Sequence, residues 1–113
     1  MTPEDFNLIL DKRLMSIKAV LGNKAKEYAH GGDRLHNFKV AANMLQSTQA
    51  KALWGIAVKH FVSVSDLVNG DLESETAMIN EKIGDAINYL ILLEAVLKED
   101  IDPKVEFTCR WMV

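Results

Sequence analysis

Three side chains that could bind a metal ion follow one another along a single stripe of a predicted helix. Glu81, Asp85 and Asn88 are separated by four and three residues, a spacing that brings side chains together on a helical surface. Leu92 and Ala95 continue the stripe in apolar form, so the polar groups enter an apolar surface. Two neighbouring carboxylates are costly to bury without a compensating charge, and Mg²⁺ prefers oxygen ligands. The pattern predicts a magnesium site, with a solvated helix face as the alternative.

A second group of polar residues lies in the preceding predicted helix. His60 falls inside an apolar arc, while Lys59, Ser63 and Asp66 form a polar stripe at its edge. A cation, a titratable donor and a hydroxyl on one helix suit an anionic ligand such as a phosphate chain. Two structural interpretations compete with this one. His60 could be a core histidine that hydrogen-bonds to a neighbour, and Lys59 and Asp66 could form a surface pair.

A single arginine stands inside the apolar arc of the helix before that one. Arg34 has Asn37 beside it at the edge of the arc, and Tyr28 and Asp33 flank the start of the same helix. Backbone N–H groups at a helix start favour anions. Because a guanidinium keeps its charge, an inward-pointing Arg34 needs a phosphate or one of the two carboxylates described above. The alternative is that its stem extends outward to solvent.

The chain divides into four predicted helices, which are indicated by the helical spacing of apolar residues and by clear end signals. Gly22 is a natural stop for the first helix. We expect an all-α fold, a four-helix antiparallel bundle that forms one domain over residues 1–113. The helices are predicted at about residues 2–21, 33–46, 48–69 and 74–99. The predicted N-caps are Thr2, Asp33, Ser47 or Thr48, and Ser74.

The apolar residues of these helices fall on defined arcs. The second half of the fourth helix is apolar almost all round, which predicts a buried central element or a subunit interface. The first helix repeats Phe6, Ile9, Leu10, Leu14, Ile17 and Leu21 at helical spacing. The predicted buried arcs of the next two helices are Leu35, Phe38, Ala41, Ala42 and Leu45, and Leu53, Ala57, Phe61, Val64 and Leu67.

The tail, residues 103–113, follows a different pattern. From Val105 to Val113, apolar and polar residues alternate with a period of two, which is typical of an extended segment. A lone strand cannot satisfy its backbone groups, so it would pair with another chain or lie along the bundle. An irregular tail whose aromatic residues cover the core is the other interpretation.

Composition sets broader bounds on function. The chain has 113 residues and a formal net charge of -3, which gives no support for nucleic-acid binding. Cys109 is the single cysteine, so a reducing cytoplasm is expected. No signal pattern or membrane-spanning run is present, which predicts no membrane partner. A DNA-binding hypothesis rests only on Lys24, Lys26, Arg34, His36 and Lys39.

Four stretches together resemble a known group of proteins, the nucleotide modification associated domains of phages and prophages. The resemblance covers roughly residues 24–98, and the last stretch is also remotely similar to the Glu-Glu-x-x-Asp helix of the MazG-like, all-α NTP pyrophosphohydrolases. The stretches are Lys26-Glu-Tyr28, Asp33-Arg-Leu-His-Asn-Phe38, Lys59-His60-x-x-Ser63 and Glu81-Lys-Ile-Gly-Asp-Ala-Ile-Asn-Tyr89.

The resemblance implies a helical bundle that oligomerises and binds a nucleotide with magnesium. In the MazG-like enzymes, carboxylates on two helices hold the metal, and water attacks the triphosphate to release pyrophosphate. By position, Glu81 and Asp85 match the metal ligands of the second of those helices. Lys82 stands where the family has a second glutamate, and Lys59 with His60 stands in the region of the other Glu-x-x-Glu pair.

The leading hypothesis is therefore a cytoplasmic, homo-oligomeric, MazG-like nucleotide-binding protein, and whether it also hydrolyses the nucleotide to release pyrophosphate stays open. The alternative is a non-catalytic helical interaction or assembly protein of a phage or prophage, in which Arg34 pairs with Glu81 or Asp85. In the leading hypothesis the catalytic candidates are Glu81, Asp85 and His60, and the magnesium ligands are Glu81, Asp85 and Asp66. The ligand-binding candidates are Tyr28, Asp33, Arg34, Asn37, Lys59, Ser63, Asn88 and Tyr89.

Overall fold

The predicted all-α fold is confirmed by a computed structural model that describes residues 1–22, 32–71 and 75–101. Within those ranges the α-helices pack as a bundle. The predicted cap Ser74 and the tail at residues 103–113 lie outside the described residues. The helices are α1 (Pro3–Ile17), α2 (His36–Met44), α3 (Gln49–Asn69) and α4 (Thr76–Ile101), and a π-helical turn, Lys18–Gly22, follows α1.

Helix α1 begins as the sequence predicts. Thr2 is its N-cap, and the Thr2 hydroxyl accepts a hydrogen bond from the Asp5 N–H at 3.1 Å. Pro3 occupies the first helical position, where its missing N–H costs nothing. The π-helical turn continues the helical path to Gly22, the predicted stop.

Helix α2 is shorter than predicted at both ends. Its N-cap is Leu35 rather than Asp33, because the Asp33 carboxylate accepts the Leu35 N–H at 3.0 Å and forms a turn before the helix. The helix ends at Met44, and Gln46 adopts the left-handed region with a φ of 52°. Leu45 therefore lies beyond the last turn and is exposed, so its predicted place in the buried arc is wrong.

Helix α3 has the boundaries that the sequence predicts. The Thr48 hydroxyl accepts a hydrogen bond from the Lys51 N–H at 3.2 Å, which identifies Thr48 as the N-cap. Gly70 ends the helix in the left-handed conformation with a φ of 77°, a geometry that glycine adopts without steric cost.

The core lies where α3 packs against α4, with Leu35 added from the turn before α2. Leu53 and Val96 are 0% exposed, and Ala57 lies between them in the same cluster. Phe61, predicted in the same arc, packs against this cluster from a half-buried position. The described core is small, so each of its members carries a large share of the apolar burial.

Helix α1 has no buried residue, although its apolar residues are regularly spaced. Phe6, Leu10 and Leu14 lie along one stripe and are 56%, 45% and 47% exposed. Helix α1 contacts α4 through the neighbouring face, where Arg13 lies. No described helix is long and apolar enough to cross a membrane.

Candidate functional site

Two concave regions flank the predicted metal-binding stripe of α4. The first, which we call the α2–α4 cavity, has a volume of about 430 Å³. The second, which we call the α1–α4 cleft, has a volume of about 500 Å³. Asp85, Asn88 and Val20 line both regions. Ligand pockets in proteins generally have volumes of roughly 300–1,000 Å³, so each region could hold part or all of a small molecule.

The α2–α4 cavity gathers five of the residues that the sequence singles out as ligand-binding or catalytic. Arg34 comes from the turn before α2 and Asn37 from the first turn of that helix, whereas Asp85, Asn88 and Tyr89 come from the middle of α4. The rest of the wall is apolar and is formed by Val20, Leu21, Phe38, Ile56 and Leu92. A cation, a carboxylate, two amides and an aromatic ring in an apolar wall suit a ligand with one charged and one planar part.

His60 of α3 contacts two of these residues directly. Its Nδ1 lies 3.5 Å from Asp85 Oδ2, and its ring stacks on the Tyr89 ring with the centroids 4.7 Å apart. The His60 side chain is 19% exposed, whereas that of Asp85 is 39% exposed, so water still reaches the Asp85 carboxylate. His60 thus packs on Tyr89 and lies beside the Asp85 carboxylate.

Asn88 carries an unsatisfied hydrogen-bond acceptor where the two regions meet. Its Oδ1 is buried and has no hydrogen-bond partner among the described residues. A buried acceptor without a partner costs about 1–3 kcal/mol. A ligand N–H or O–H donor, or a bound cation, would remove that cost.

The α1–α4 cleft combines opposite charges from its two helices. Lys12 and Arg13 of α1 line one side, and Glu81 and Asp85 of α4 line the other. The Arg13 Nη2 donates a hydrogen bond to the Asn80 carbonyl oxygen at 3.1 Å, which ties α1 to α4. The remaining lining residues are Ile9, Ser16, Val20, Thr76, Asn80, Gly84 and Asn88.

The structure places Asp33 in a local ion-pair network. The Asp33 carboxylate binds the Lys39 ammonium, and Lys39 Nζ also lies 3.1 Å from Glu99 Oε1 at the end of α4. The hydrogen bond from Lys39, together with that from the Leu35 N–H, lowers the pKa of Asp33 below 3.8. The hydrogen bonds to Asp33 and Glu99 raise the pKa of Lys39 above 10.5. Asp33 thus fastens the start of α2 and lines neither the cavity nor the cleft.

The polar stripe of α3 lies apart from both concave regions. Lys59 is exposed, and the Ser63 hydroxyl donates a hydrogen bond to the Lys59 carbonyl oxygen at 3.1 Å. Asp66 is half-buried and lines neither region. His60 differs from these residues in that it contacts the stripe of α4 at Asp85.

The three predicted metal ligands do not lie in one region, because Glu81 and Asp85 line the cleft and Asp66 does not. Glu81 lines the cleft, with its side chain 63% exposed and 3.7 Å from the ammonium of Lys82. No group of three His, Cys, Asp or Glu side chains that could hold a metal ion occurs within residues 1–22, 32–71 and 75–101. Tyr28 lies outside the described residues.

Sequence reasoning missed the cationic side of the cleft. Lys12 and Arg13 have the pattern of ordinary surface residues on an amphipathic helix, and nothing in their spacing connects them to α4. A usable signal was Gly84, because a glycine in a helix interior often marks a close approach by another group. An ideal Cβ at Gly84 would lie 2.5 Å from Arg13 Nη1.

Comparison with known proteins does not assign the chain to a family. No protein-family model, no curated protein and no solved structure matches it. The function of the chain is therefore inferred from the geometry of the cavity and the cleft.

Proposed function

We propose that this protein binds a nucleotide in the α2–α4 cavity and that magnesium-dependent release of pyrophosphate is its reaction. The observation that carries the proposal is the Asn88 Oδ1, which is buried without a hydrogen-bond partner among the described residues and lies beside a cation and an aromatic ring. Arg34 would contact a phosphate group, and Tyr89 with Asn37 would contact the base or the sugar. The Asn88 oxygen would accept a hydrogen bond from the nucleotide.

Two carboxylates of α4 support magnesium as the cation of the site. Glu81 and Asp85 lie one helical turn apart, and both line the α1–α4 cleft. Magnesium commonly takes one or two protein carboxylates and completes its shell with water and substrate phosphates. When bound, the ion would polarise phosphate oxygens and make a water molecule more acidic.

Asp85 and His60 suit the proton transfer that the reaction needs. A water oxygen would form a bond to the α-phosphorus while the bond from that phosphorus to the bridging oxygen breaks, so that pyrophosphate leaves. The proton of the water would pass to Asp85, with His60 holding the carboxylate in place. Arg34 would offset the negative charge that develops on the phosphate.

The direct test is a binding and turnover panel. Purified protein is titrated with canonical and modified nucleoside triphosphates, with and without magnesium, by calorimetry and thermal shift, and released pyrophosphate is measured. We expect magnesium-dependent binding that the double variant Glu81→Gln, Asp85→Asn loses while its circular dichroism stays helical. Absence of binding by the whole panel would refute the proposal, whereas binding without pyrophosphate release would refute only the reaction.

A matched pair of variants localises the binding. Asn37→Ala removes an amide that lines the α2–α4 cavity, and Asn43→Ala removes the same group from an exposed position on the same helix. We expect only Asn37→Ala to weaken nucleotide binding. Equal effects of the two substitutions would place the nucleotide elsewhere.

A second candidate function, self-association, is favoured by the exposed stripe of α1. We propose that Phe6, Leu10 and Leu14 pack against the same stripe of a second copy. Packing through this stripe would bury the apolar side chains of both copies at once, which supports another copy of this chain as the partner.

Analytical ultracentrifugation tests the self-association. Leu10→Glu places a charge in the stripe, and Leu8→Glu places the same charge on another face of α1 at a leucine that is 54% exposed. We expect Leu10→Glu to be monomeric and Leu8→Glu to associate like the original chain. A monomeric original chain, or equal behaviour of the two variants, would contradict the proposal.

A further inference from the structure

The cavity and the cleft adjoin each other at residues of α4 and the π-helical turn. Asp85, Asn88 and Val20 belong to the walls of both, so a ligand that contacts Asn88 can extend in either direction. Arg34 lies in the cavity, whereas Lys12 and Arg13 lie in the cleft. The two regions together thus present cations on both sides of a central carboxylate.

We infer that Lys12 and Arg13 bind the outer phosphates of the nucleotide, and that Gly84 is the residue that admits Arg13. This inference rests on the proposed nucleotide binding and extends it by naming the residues that hold the outer phosphates. The ligand class is a nucleoside triphosphate, with its base in the α2–α4 cavity and its distal phosphates in the α1–α4 cleft.

Arg13 is held in a position suited to this role. Its guanidinium carries five N–H donors, of which the Asn80 carbonyl oxygen accepts one. Its Nη1 would lie 2.5 Å, and its Cζ 3.5 Å, from an ideal Cβ at position 84. Only glycine at this position leaves room for the guanidinium against the backbone of α4. The anchored arginine then retains N–H donors for phosphate oxygens.

Lys12 supplies a second cation from the neighbouring position of α1. Lysine is a common phosphate-binding residue, and its flexible stem lets the ammonium follow a mobile phosphate chain. Opposite these cations, Glu81 and Asp85 would not repel a phosphate chain that arrives with magnesium, because the charge of the ion would offset theirs. Free polyphosphate without magnesium is expected to bind less tightly.

The experiment compares the nucleoside mono-, di- and triphosphates of one base, and inorganic triphosphate, by calorimetry in magnesium buffer. We expect Lys12→Ala and Arg13→Ala each to weaken triphosphate binding about tenfold, the loss of one charge-assisted hydrogen bond, while monophosphate binding stays unchanged. Lys18→Ala, an exposed lysine that lines neither region, should leave both unchanged. If Arg13→Ala fails to fold, Lys12→Ala and Gly84→Ala carry the test.

Gly84→Ala tests whether the position of the Arg13 guanidinium matters, because this substitution moves the guanidinium and keeps its charge. The added methyl group must displace the guanidinium, since the arginine end is flexible and the helix backbone is not. We expect Gly84→Ala to weaken triphosphate binding as Arg13→Ala does and to leave monophosphate binding intact. A preference for triphosphate that survives all three substitutions would overturn the inference while leaving nucleotide binding in place.

The same experiment distinguishes failure of the proposed function. If no nucleotide binds but inorganic triphosphate does, and Lys12→Ala and Arg13→Ala lose that binding, the cleft is a polyphosphate site and the nucleotide proposal fails. If neither class of ligand binds to the original chain, both proposals fall.

Discussion

The ring of His60 lies on the ring of Tyr89, with centroids 4.7 Å apart and planes inclined by 22°. This stack joins α3 to α4 beside the α2–α4 cavity. Because the same imidazole lies 3.5 Å from Asp85, one side chain sets the position of both a carboxylate and an aromatic ring at the candidate site. The packing of α3 against α4 and the positions of two candidate site residues therefore both involve His60.

A double-mutant cycle measures that stack. His60→Ala and Tyr89→Leu each remove it, and the coupling free energy in urea unfolding should be about 0.5–1.5 kcal/mol, as is usual for stacked rings. Tyr89→Phe keeps the ring and serves as the control. The coupling free energy between His60→Ala and Tyr89→Phe should therefore be close to zero. A coupling near zero between His60→Ala and Tyr89→Leu would mean that the two rings do not stabilise each other in solution.

Replacing Asn88 should have opposite effects on the fold and on binding. Asn88→Leu keeps the approximate volume and removes a buried acceptor that has no partner among the described residues, so the free energy of unfolding should rise by up to about 1–3 kcal/mol. Nucleotide binding should fall, because the oxygen that would contact the ligand is gone. Asn43→Leu, at an exposed position, is the control for both urea unfolding and calorimetry. A destabilised Asn88→Leu protein would show that the oxygen is satisfied in solution.

The Asp33–Lys39 pair predicts a dependence of stability on pH at both extremes. Because the pKa of Asp33 is lowered below 3.8 on folding, its contribution is present above pH 3.8 and is lost as the pH falls through the lowered pKa. Because the pKa of Lys39 is raised above 10.5, its contribution is present below pH 10.5 and is lost as the pH rises through the raised pKa.

Thermal melts across those two pH windows check this prediction. Asp33→Asn should flatten the acid slope, whereas Asp11→Asn, at an exposed position of α1, should leave it unchanged. The effect should be modest, because the side chains of Lys39 and Asp33 are 39% and 33% exposed and water screens the pair. Identical acid slopes for the two variants would argue against the ion pair.

Because the core is small, we expect that truncation of its fully buried residue Leu53 lowers the free energy of unfolding strongly. Leu53 is 0% exposed, so Leu53→Ala should lower the free energy of unfolding by about 2–5 kcal/mol through lost burial and a residual cavity. Val62→Ala, on the same helix at a residue that is 52% exposed, should change it by no more than about 0.5 kcal/mol. Urea unfolding measures both, and a mild effect at Leu53 would place the core elsewhere.

Local signals in the sequence were sufficient for most helix boundaries. Thr2, Thr48 and Gly70 act through hydrogen bonds and backbone angles within a few residues, and these do not depend on the rest of the fold. Local signals were not sufficient to assign the role of Asp33. A carboxylate can cap a helix or fold a turn before it, and its pairing with Lys39 and Glu99 favours the turn.

The candidate site was predictable in part for a related reason. Asp85 and Asn88 share a stripe of one helix, so their proximity follows from helical geometry alone. The contact between Arg13 and Asn80 joins residues 67 positions apart, and it depends on how α1 lies along α4. The spacing of apolar residues shows which face of a helix is apolar but not which element packs against that face. For the same reason, the sequence could not assign a partner to the apolar stripe of α1.

Lys39 binds one carboxylate before α2 and another at the end of α4, and Arg34 and Asn37 lie in the chain between Asp33 and Lys39. The position of these two cavity residues thus depends on ion pairs whose members do not line the cavity. Added salt weakens exposed ion pairs and also competes for phosphate groups. Ionic strength should therefore act on the proposed nucleotide binding twice, through the phosphates of the ligand and through the position of Arg34 and Asn37.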